Sequence, residues 1–335
     1  MTARALTPAL GLPLAVAAGL AIPAQGRING ALGVRLNDGI GAAVVSFTTG
    51  LLLMLVVSFA LPAGRASLSR VLPALRSRAF PRIYVAAGAI GALFVFAQSF
   101  TVGLIGVALF TVATVTGQTV SGLLVDSLGI GPAGRKRLTR IRLLGCVLTI
   151  AAVILAVSPR LGAAGAGGTS DGGTSAGGLA ALLLVLLLPV LAGFMMSFQQ
   201  AMNGTATMHY GSPLAATLIN FVTGAAALWI AWLVKVQVSG PGNPLPGEWW
   251  YYLGGPMGCI FIGVGALLVR SLGVLLTGLG MIAGQLVGSL ALDIVFPTAG
   301  TVVAPATVVG TLLTLGAIVL ATLPWPRGAI RRRGR

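Results

Sequence analysis

Residues Gln25–Gly50 read QGRINGALGVRLNDGIGAAVVSFTTG, and residues Gln199–Gly224 read QQAMNGTATMHYGSPLAATLINFVTG. The two stretches align without a gap at an offset of 174 residues, which places Gln25 on Gln199, Asn29 on Asn203, Gly30 on Gly204, Phe47 on Phe221, Thr49 on Thr223 and Gly50 on Gly224. One Gln-x-x-x-Asn-Gly element would be weak evidence. The same element followed at the same distance by Phe-x-Thr-Gly is a repeat, and a repeat decides the architecture before any single helix is assigned. The correspondence continues further along the chain. Tyr84–Gln118 matches Tyr251–Gln285 at an offset of 167, with Gly88 on Gly255, Gly91 on Gly258, Gly106 on Gly273 and, beyond the block, Asp126 on Asp293. The chain is a tandem duplication whose second copy has a shorter loop between the two blocks.

What is duplicated is a membrane unit. Of 335 residues, 56% are hydrophobic and 8% charged, and the mean hydropathy is +1.00. A soluble domain carries roughly 25% charged residues. The 49 glycines suit membrane helices, which approach closely where residues are small. The net charge of +16 does not point to nucleic acid, because the Lys and Arg residues sit in short segments between apolar runs, where they report topology. Cys146 and Cys259 both lie in apolar runs and suggest neither a disulfide framework nor a metal site. Arg4, the apolar run after it and Ile22-Pro23-Ala24 faintly resemble a signal peptide. That segment has an internal counterpart ending at Gln199, so it is expected to be a retained first span.

Apolar runs near the 20 residues needed to cross a bilayer fall at 6–30, 39–62, 82–103, 106–128 and 141–158, then at 179–206, 213–236, 249–270, 272–296 and 300–323. The expected fold is an all-α integral membrane protein of ten transmembrane helices: a five-helix repeat over 1–160, a Gly/Ser-rich linker over 161–178, and a second five-helix repeat with a basic tail over 179–335. The runs at 82–103 and 106–128 have almost no polar break and predict a tight hairpin. An odd number of spans per repeat, joined by a linker that does not cross, requires two inverted repeats. With the N-terminus inside, 17 of the 21 Lys and Arg residues fall on inner segments, and only Arg27, Arg35, Arg160 and Lys235 fall outside. The positive-inside rule therefore predicts both termini in the cytoplasm and the linker outside. Inverted repeats suit a secondary transporter, in which two halves exchange conformations around a shared site.

The repeated motifs resemble the drug/metabolite transporter superfamily, whose EamA-like members have ten helices, and within it the YdcZ-like branch. The Gln-x-x-x-Asn element is carried by Gln25 and Asn29, the Phe-x-x-Gly of the second helix by Phe47 and Gly50, and the Gly-Gln…Asp stretch of the fourth by Gly117, Gln118 and Asp126. The second copy supplies Gln199, Asn203, Phe221, Gly224, Gly284, Gln285 and Asp293. Many members of that branch are single five-helix units, and this chain looks like a fused pair. The resemblance implies a plasma-membrane transporter of small molecules and no particular substrate.

Polar residues inside the spans are the site candidates, because membrane interiors tolerate few of them. Gln118 lies about 12 residues into its span, about 18 Å deep and close to the midplane, and Gln285 follows by symmetry. With Thr114 and Met281 they are expected to bind substrate, and interhelical hydrogen bonding is the competing role. Gln25 follows about 19 residues of helix, about 28 Å, so Gln25, Asn29, Gln199 and Asn203 are expected at the rims as gate residues or helix-terminal caps. Asp126 and Asp293 close their spans; they either face water or an interfacial Arg, or carry coupling protons. His209 is expected in an inner loop, and Trp249–Tyr252 as an interfacial aromatic belt. No phosphate loop, metal cluster or nucleophile–base arrangement is present, so no cofactor and no enzyme activity are expected. The partners expected are a small-molecule substrate, the lipid bilayer, and protons or another coupling ion, with no nucleic acid. A membrane scaffold or assembly subunit is the alternative function, and a channel the third.

In a background lacking the two native cysteines, a cysteine introduced at Gly168 should react with an impermeant thiol reagent in intact cells. Labelling that appears only after lysis would contradict the outside linker and with it the inverted insertion.

Overall fold

The computed structural model describes residues 8–131, 134–135, parts of 143–158, 175–297 and 304–322. The described residues are helical throughout their spans. In order they form α1 (Pro8–Gly19), α2 (Ala21–Leu36), α3 (Gly39–Ala60), α4 (Pro62–Arg76), α5 (Ala87–Ile105), α6 (Val107–Leu128), α7 (Ser175–Tyr210), α8 (Pro213–Ser239), α9 (Gly254–Val295) and α10 (Pro305–Thr322), with short 3-10 turns before α5 and α9. Five helices among the described residues are long and apolar enough to cross a membrane: 39–60, 82–105, 107–128, 185–210 and 213–239. The protein is an all-helical integral membrane protein. Most of the linker expected at 161–178 lies outside the described residues, although 175–178 already belong to α7. Arg4, Arg160, most of the basic run 135–142 and the basic tail also lie outside.

Local chemistry sets the breaks. Pro23 has no N–H to give the preceding turn, and α1 and α2 part at Leu20. Asn37 ends α2 in the left-handed region, at φ 50°, and Asp38 then starts α3 by accepting a hydrogen bond from the Gly41 amide (2.9 Å), an N-cap. At the repeat-equivalent position Ser212 starts α8, accepting from the Leu214 amide (3.2 Å) ahead of Pro213. Gly106, at φ 81°, is the one residue between α5 and α6. The hairpin expected there has this turn, but its limbs touch each other little: α5 packs on α2, α7 and α8, and α6 mainly on α7.

The matching segment of the second copy is one 42-residue run of helical backbone, α9, and it doubles back. A straight helix would hold residues 265 and 281 about 24 Å apart, yet a Cβ on Gly265 would stand 3.0 Å from Met281 Cε. The first limb passes Asn29 at Gly254 and Gln25 at Gly258, whereas the second passes Ala15 at Gly280, Gly19 at Gly284 and Leu20 at Gly288. It therefore runs first against and then along α1–α2.

The two copies pack on each other reciprocally. The rings of Phe47 and Phe221 lie 5.1 Å apart, and each stands over the other copy's glycine, Phe221 over Gly50 and Phe47 over Gly224. A Cβ on Gly88 would run into Asn220 O and Gly224 N; one on Gly255 would run into Ser46 O and Gly50 N, the equivalent atoms of the first copy. Gly117 faces Val190 and Phe194 as Gly284 faces Val16 and Gly19, and Gly193 faces Thr114 as Gly19 faces Met281. The matching helices α3 and α8 run antiparallel, because Phe221 meets Gly50, Trp229 donates to Thr48 Oγ1 (3.2 Å) and Trp232 donates to Asp38 Oδ2 (3.1 Å).

A Cβ at Gly88 or Gly255 would meet backbone atoms of the other copy, which a rotamer change cannot move. Gly88→Ala and Gly255→Ala should each destabilise the protein by about 1–3 kcal/mol, the usual cost of overpacking. Gly263→Ala, where a Cβ meets nothing within 4 Å, should leave the melting midpoint in detergent unchanged or slightly raised. Equal midpoints for all three would refute the reciprocal packing.

Candidate functional site

The reciprocal Phe pair has buried amides on both sides. Gln25 is 4% exposed and Asn29 fully buried. Asn29 Nδ2 donates to Gln98 Oε1 (3.0 Å), and Gln98 Nε2 donates to Ile22 O (3.4 Å). A Cβ on Gly258 would stand 2.7 Å from Gln25 Nε2 and 3.6 Å from Phe221 Cζ. In the second copy Gln199 Nε2 and Asn203 Nδ2 both donate to Asn220 Oδ1 (3.0 and 3.1 Å). A Cβ on Gly91 would sit against Gln199 Nε2 and 3.4 Å from Phe47 Cζ. Glycine at 91 and 258 is what lets each amide reach the aromatic pair.

Gln25, Asn29, Gln199 and Asn203 are not at helix ends. α2 continues to Leu36, and Gln199 lies within the apolar stretch 185–210. Asn29, Gln199 and Asn203 turn inward and donate to side chains on neighbouring helices. Gln25 makes no hydrogen bond to a described residue.

Gln118 and Gln285 are buried, and their side-chain amides likewise make no hydrogen bond to a described residue. The Gln118 carbonyl accepts from Ser197 Oγ (3.0 Å). The Thr114 hydroxyl is buried without a partner, and Met281 packs on Gly19 and Gly265. The level of these residues follows from Asp293. Its two oxygens accept from the Val107 and Ala108 amides (3.0 and 2.7 Å), which ties the start of α6 to the end of α9. Gln118 is then about 16 Å from that tie and Gln285 about 12 Å, so the two lie near one level of the bundle.

Asp293 is thus buried, at 3% exposed, and caps another helix. Asp126 is half-buried and also has an interaction partner. His209 is not in a loop but in the last turn of α7, stacked 5.3 Å from Phe80. Trp249–Leu253 form the 3-10 turn before α9, with Trp249 exposed.

Several residues were not singled out in the sequence. Gln98 and Asn220 are the acceptors that complete the two amide networks, and their repeat counterparts are Gly265 and Ser46, so the networks differ between the copies. Asp38 also pairs with Lys235 Nζ (3.0 Å), which joins α3 to α8 at one end of the bundle; Lys235 further donates to Gly240 O (3.0 Å). Arg27 is half-buried on α2, with Nη1 shielded and unpartnered, and its counterpart is Ala201. The polarity of Asn220 inside the repeated LINFVTG stretch was the available signal. Asp38 and Lys235 carried none, because they are 197 residues apart.

The family model described as "Putative inner membrane exporter, YdcZ" matches residues 10–155 and 184–320. Among solved structures, one titled "Crystal structure of protein" is similar over 94% of this chain and 96% of its own, with 16% sequence identity and a TM-score of 0.56. At that identity the likeness concerns the fold. The comparison with curated proteins finds no match.

Asp293→Asn keeps the shape but removes one acceptor from the α6 N-terminus. It should lower thermal stability by about 0.5–2 kcal/mol, the range for a lost cap, while the folded fraction keeps its pH profile of transport. Unchanged stability with a lost pH dependence would instead make Asp293 a coupling acid.

Proposed function

This chain belongs to the YdcZ family of inner-membrane exporters, a multi-pass transporter family rather than an enzyme family, and from that premise we propose a secondary active transporter of a small organic molecule. In this reading the two copies, 1–160 and 179–335, are five-span repeats inserted in opposite orientation. They are joined by the outside linker 161–178, giving ten spans and cytoplasmic termini. Alternating access is the exchange of conformation between the copies. The observation that supports it best is the contact between the antiparallel mates α3 and α8 at Phe47 and Phe221. Two equivalent helices that cross the same membrane in opposite directions are related by an axis in its plane, as in transporters built from inverted repeats.

The proposed binding region is the level of the bundle that holds Gln25, Gln199, Gln118 and Gln285, with Thr114 and Met281 beside the last two. Gln25, Gln118 and Gln285 bring amides that no described protein group occupies. A neutral amide donates and accepts without the cost of a buried charge, which suits a polar or zwitterionic substrate better than a bare cation. Gln199 and Asn203 are already bonded to Asn220, and Asn29 to Gln98. These three residues therefore shape the region and act on a gate by holding helices. Proton coupling through Asp126 or Asp293 is the less supported part, since Asp293 spends both oxygens on α6.

The purified protein in liposomes should show saturable flux of its substrate. Gln118→Leu and Gln285→Leu should lower transport about tenfold with little change in melting midpoint, since leucine costs a structural glutamine only an interhelical hydrogen bond of roughly 0.6–2 kcal/mol. Lower stability with normal transport by the folded protein would assign these glutamines to helix packing, and the absence of saturable flux would favour a scaffold.

A further inference from the structure

The segment Leu61–Ala86 contains five arginines and no acid. Most of it is the helix α4, read in the sequence as loop. One face of α4 is buried: Gly64, Ser67 and Ala74, with Leu68, Val71 and Leu75 packed on Phe80, Ala206, Tyr210 and Ala215 of the second copy's α7 and α8 and the turn before α5. The opposite face of α4 mixes exposed Leu72 with exposed Arg65, Arg70 and Arg76, and the turn that follows exposes Arg78, Arg82 and Ile83. A helix that shows apolar and basic side chains together, at the end of a membrane span, lies in the headgroup layer.

Three of the arginines are already engaged. Arg65 Nη1 donates to Phe59 O and Ala60 O (2.7 and 3.2 Å) and so neutralises the last carbonyls of α3. Arg82 Nε donates to Leu75 O (3.4 Å), and Arg70 reaches Gly211 at the α7–α8 turn. Arg76 and Arg78 are exposed and make no hydrogen bond or ion pair with a described residue. Arg78 holds φ 51°, a conformation that costs a non-glycine residue energy. It does so in an open, shallow turn lined by Arg78, Ala79, Phe80, Pro81 and Arg82.

We propose that this turn is a binding site for the headgroup of an anionic glycerophospholipid. The phosphate sits between the guanidiniums of Arg76, Arg78 and Arg82, and the acyl chains run past Leu72 and Ile83. The same phosphate chemistry could come from a free anion; the exposed apolar residues beside the arginines favour a lipid. Because α4 begins at the end of α3 and packs on α7 and α8, the lipid is held where the two copies meet.

The test is native mass spectrometry of the full-length protein released from nanodiscs of equal phosphatidylglycerol and phosphatidylcholine. The wild type should retain phosphatidylglycerol several-fold over phosphatidylcholine, since each arginine near an anionic surface contributes about a five-fold preference, and the preference should fall with added salt. Arg76→Gln with Arg78→Gln should remove most of it. Lysine at both positions should restore it, and Arg35→Gln, at the other end of the bundle, should leave it intact. Retention that shows no preference, or a preference that the double glutamine variant does not change, would overturn the site. Full competition by millimolar inorganic phosphate would assign it to a free anion and overturn the lipid.

Discussion

The structure depends on the reciprocal packing of two phenylalanines on two glycines. Phe47 stands over Gly224 and Phe221 over Gly50, and the rings meet at 5.1 Å. In a bilayer the hydrophobic effect does not hold helices together, because lipid tails are as apolar as the side chains. What remains is close packing, and close packing of long aromatic rings against backbone needs glycine on the opposite helix. The repeat supplies both partners twice. The glycines at 88, 255, 117, 284, 19 and 193 extend the same device to the neighbouring helices. The duplication is therefore a packing code, in which each copy carries the knobs and the gaps that the other copy needs.

Around that contact, polar groups are handled by helices from elsewhere in the chain. Asn29 Nδ2 donates to α5, Gln199 and Asn203 donate to α8, and the start of α6 is capped by Asp293 on α9. Gln25, Gln118 and Gln285 carry no such bond, which is why the proposed substrate region is placed on them. The networks are not copies of each other. Gln98 has a glycine as its counterpart and Asn220 a serine, and the ion pair of Asp38 and Lys235 has Ser212 and Leu61 as its counterparts. The two halves thus share a packing scheme but differ in polarity.

The repeat, the helical membrane class and a turn between the runs at 82–103 and 106–128 were legible in the sequence, because each rests on local pattern. The end of the second helix was not legible. Gln25 and Asn29 looked like a helix end because polarity was read as water, whereas α2 carries on past them to Leu36. The role of Asp293 was hidden for a related reason: its partners, the amides of Val107 and Ala108, are 186 and 185 residues away. α4 was hidden among its arginines, although glycine, serine and alanine at 64, 67 and 74 mark a buried face once helical spacing is assumed. Spacing reports which residues share a face; it does not report what that face meets.

The proposal that the two copies exchange conformations is tested most directly at the two ends of α3 and α8. One end is held by Asp38 and Lys235, and the repeat places Ser212 and Leu61 at the equivalent positions of the other. Cysteine pairs can be introduced at 38 and 235, and separately at 212 and 61, in a background without Cys146 and Cys259. Their cross-linking yields can then be followed in proteoliposomes with and without substrate. Alternating access predicts that conditions raising one yield lower the other, and that either cross-link stops transport. Yields that rise and fall together, or transport that persists with both ends cross-linked, would contradict the account.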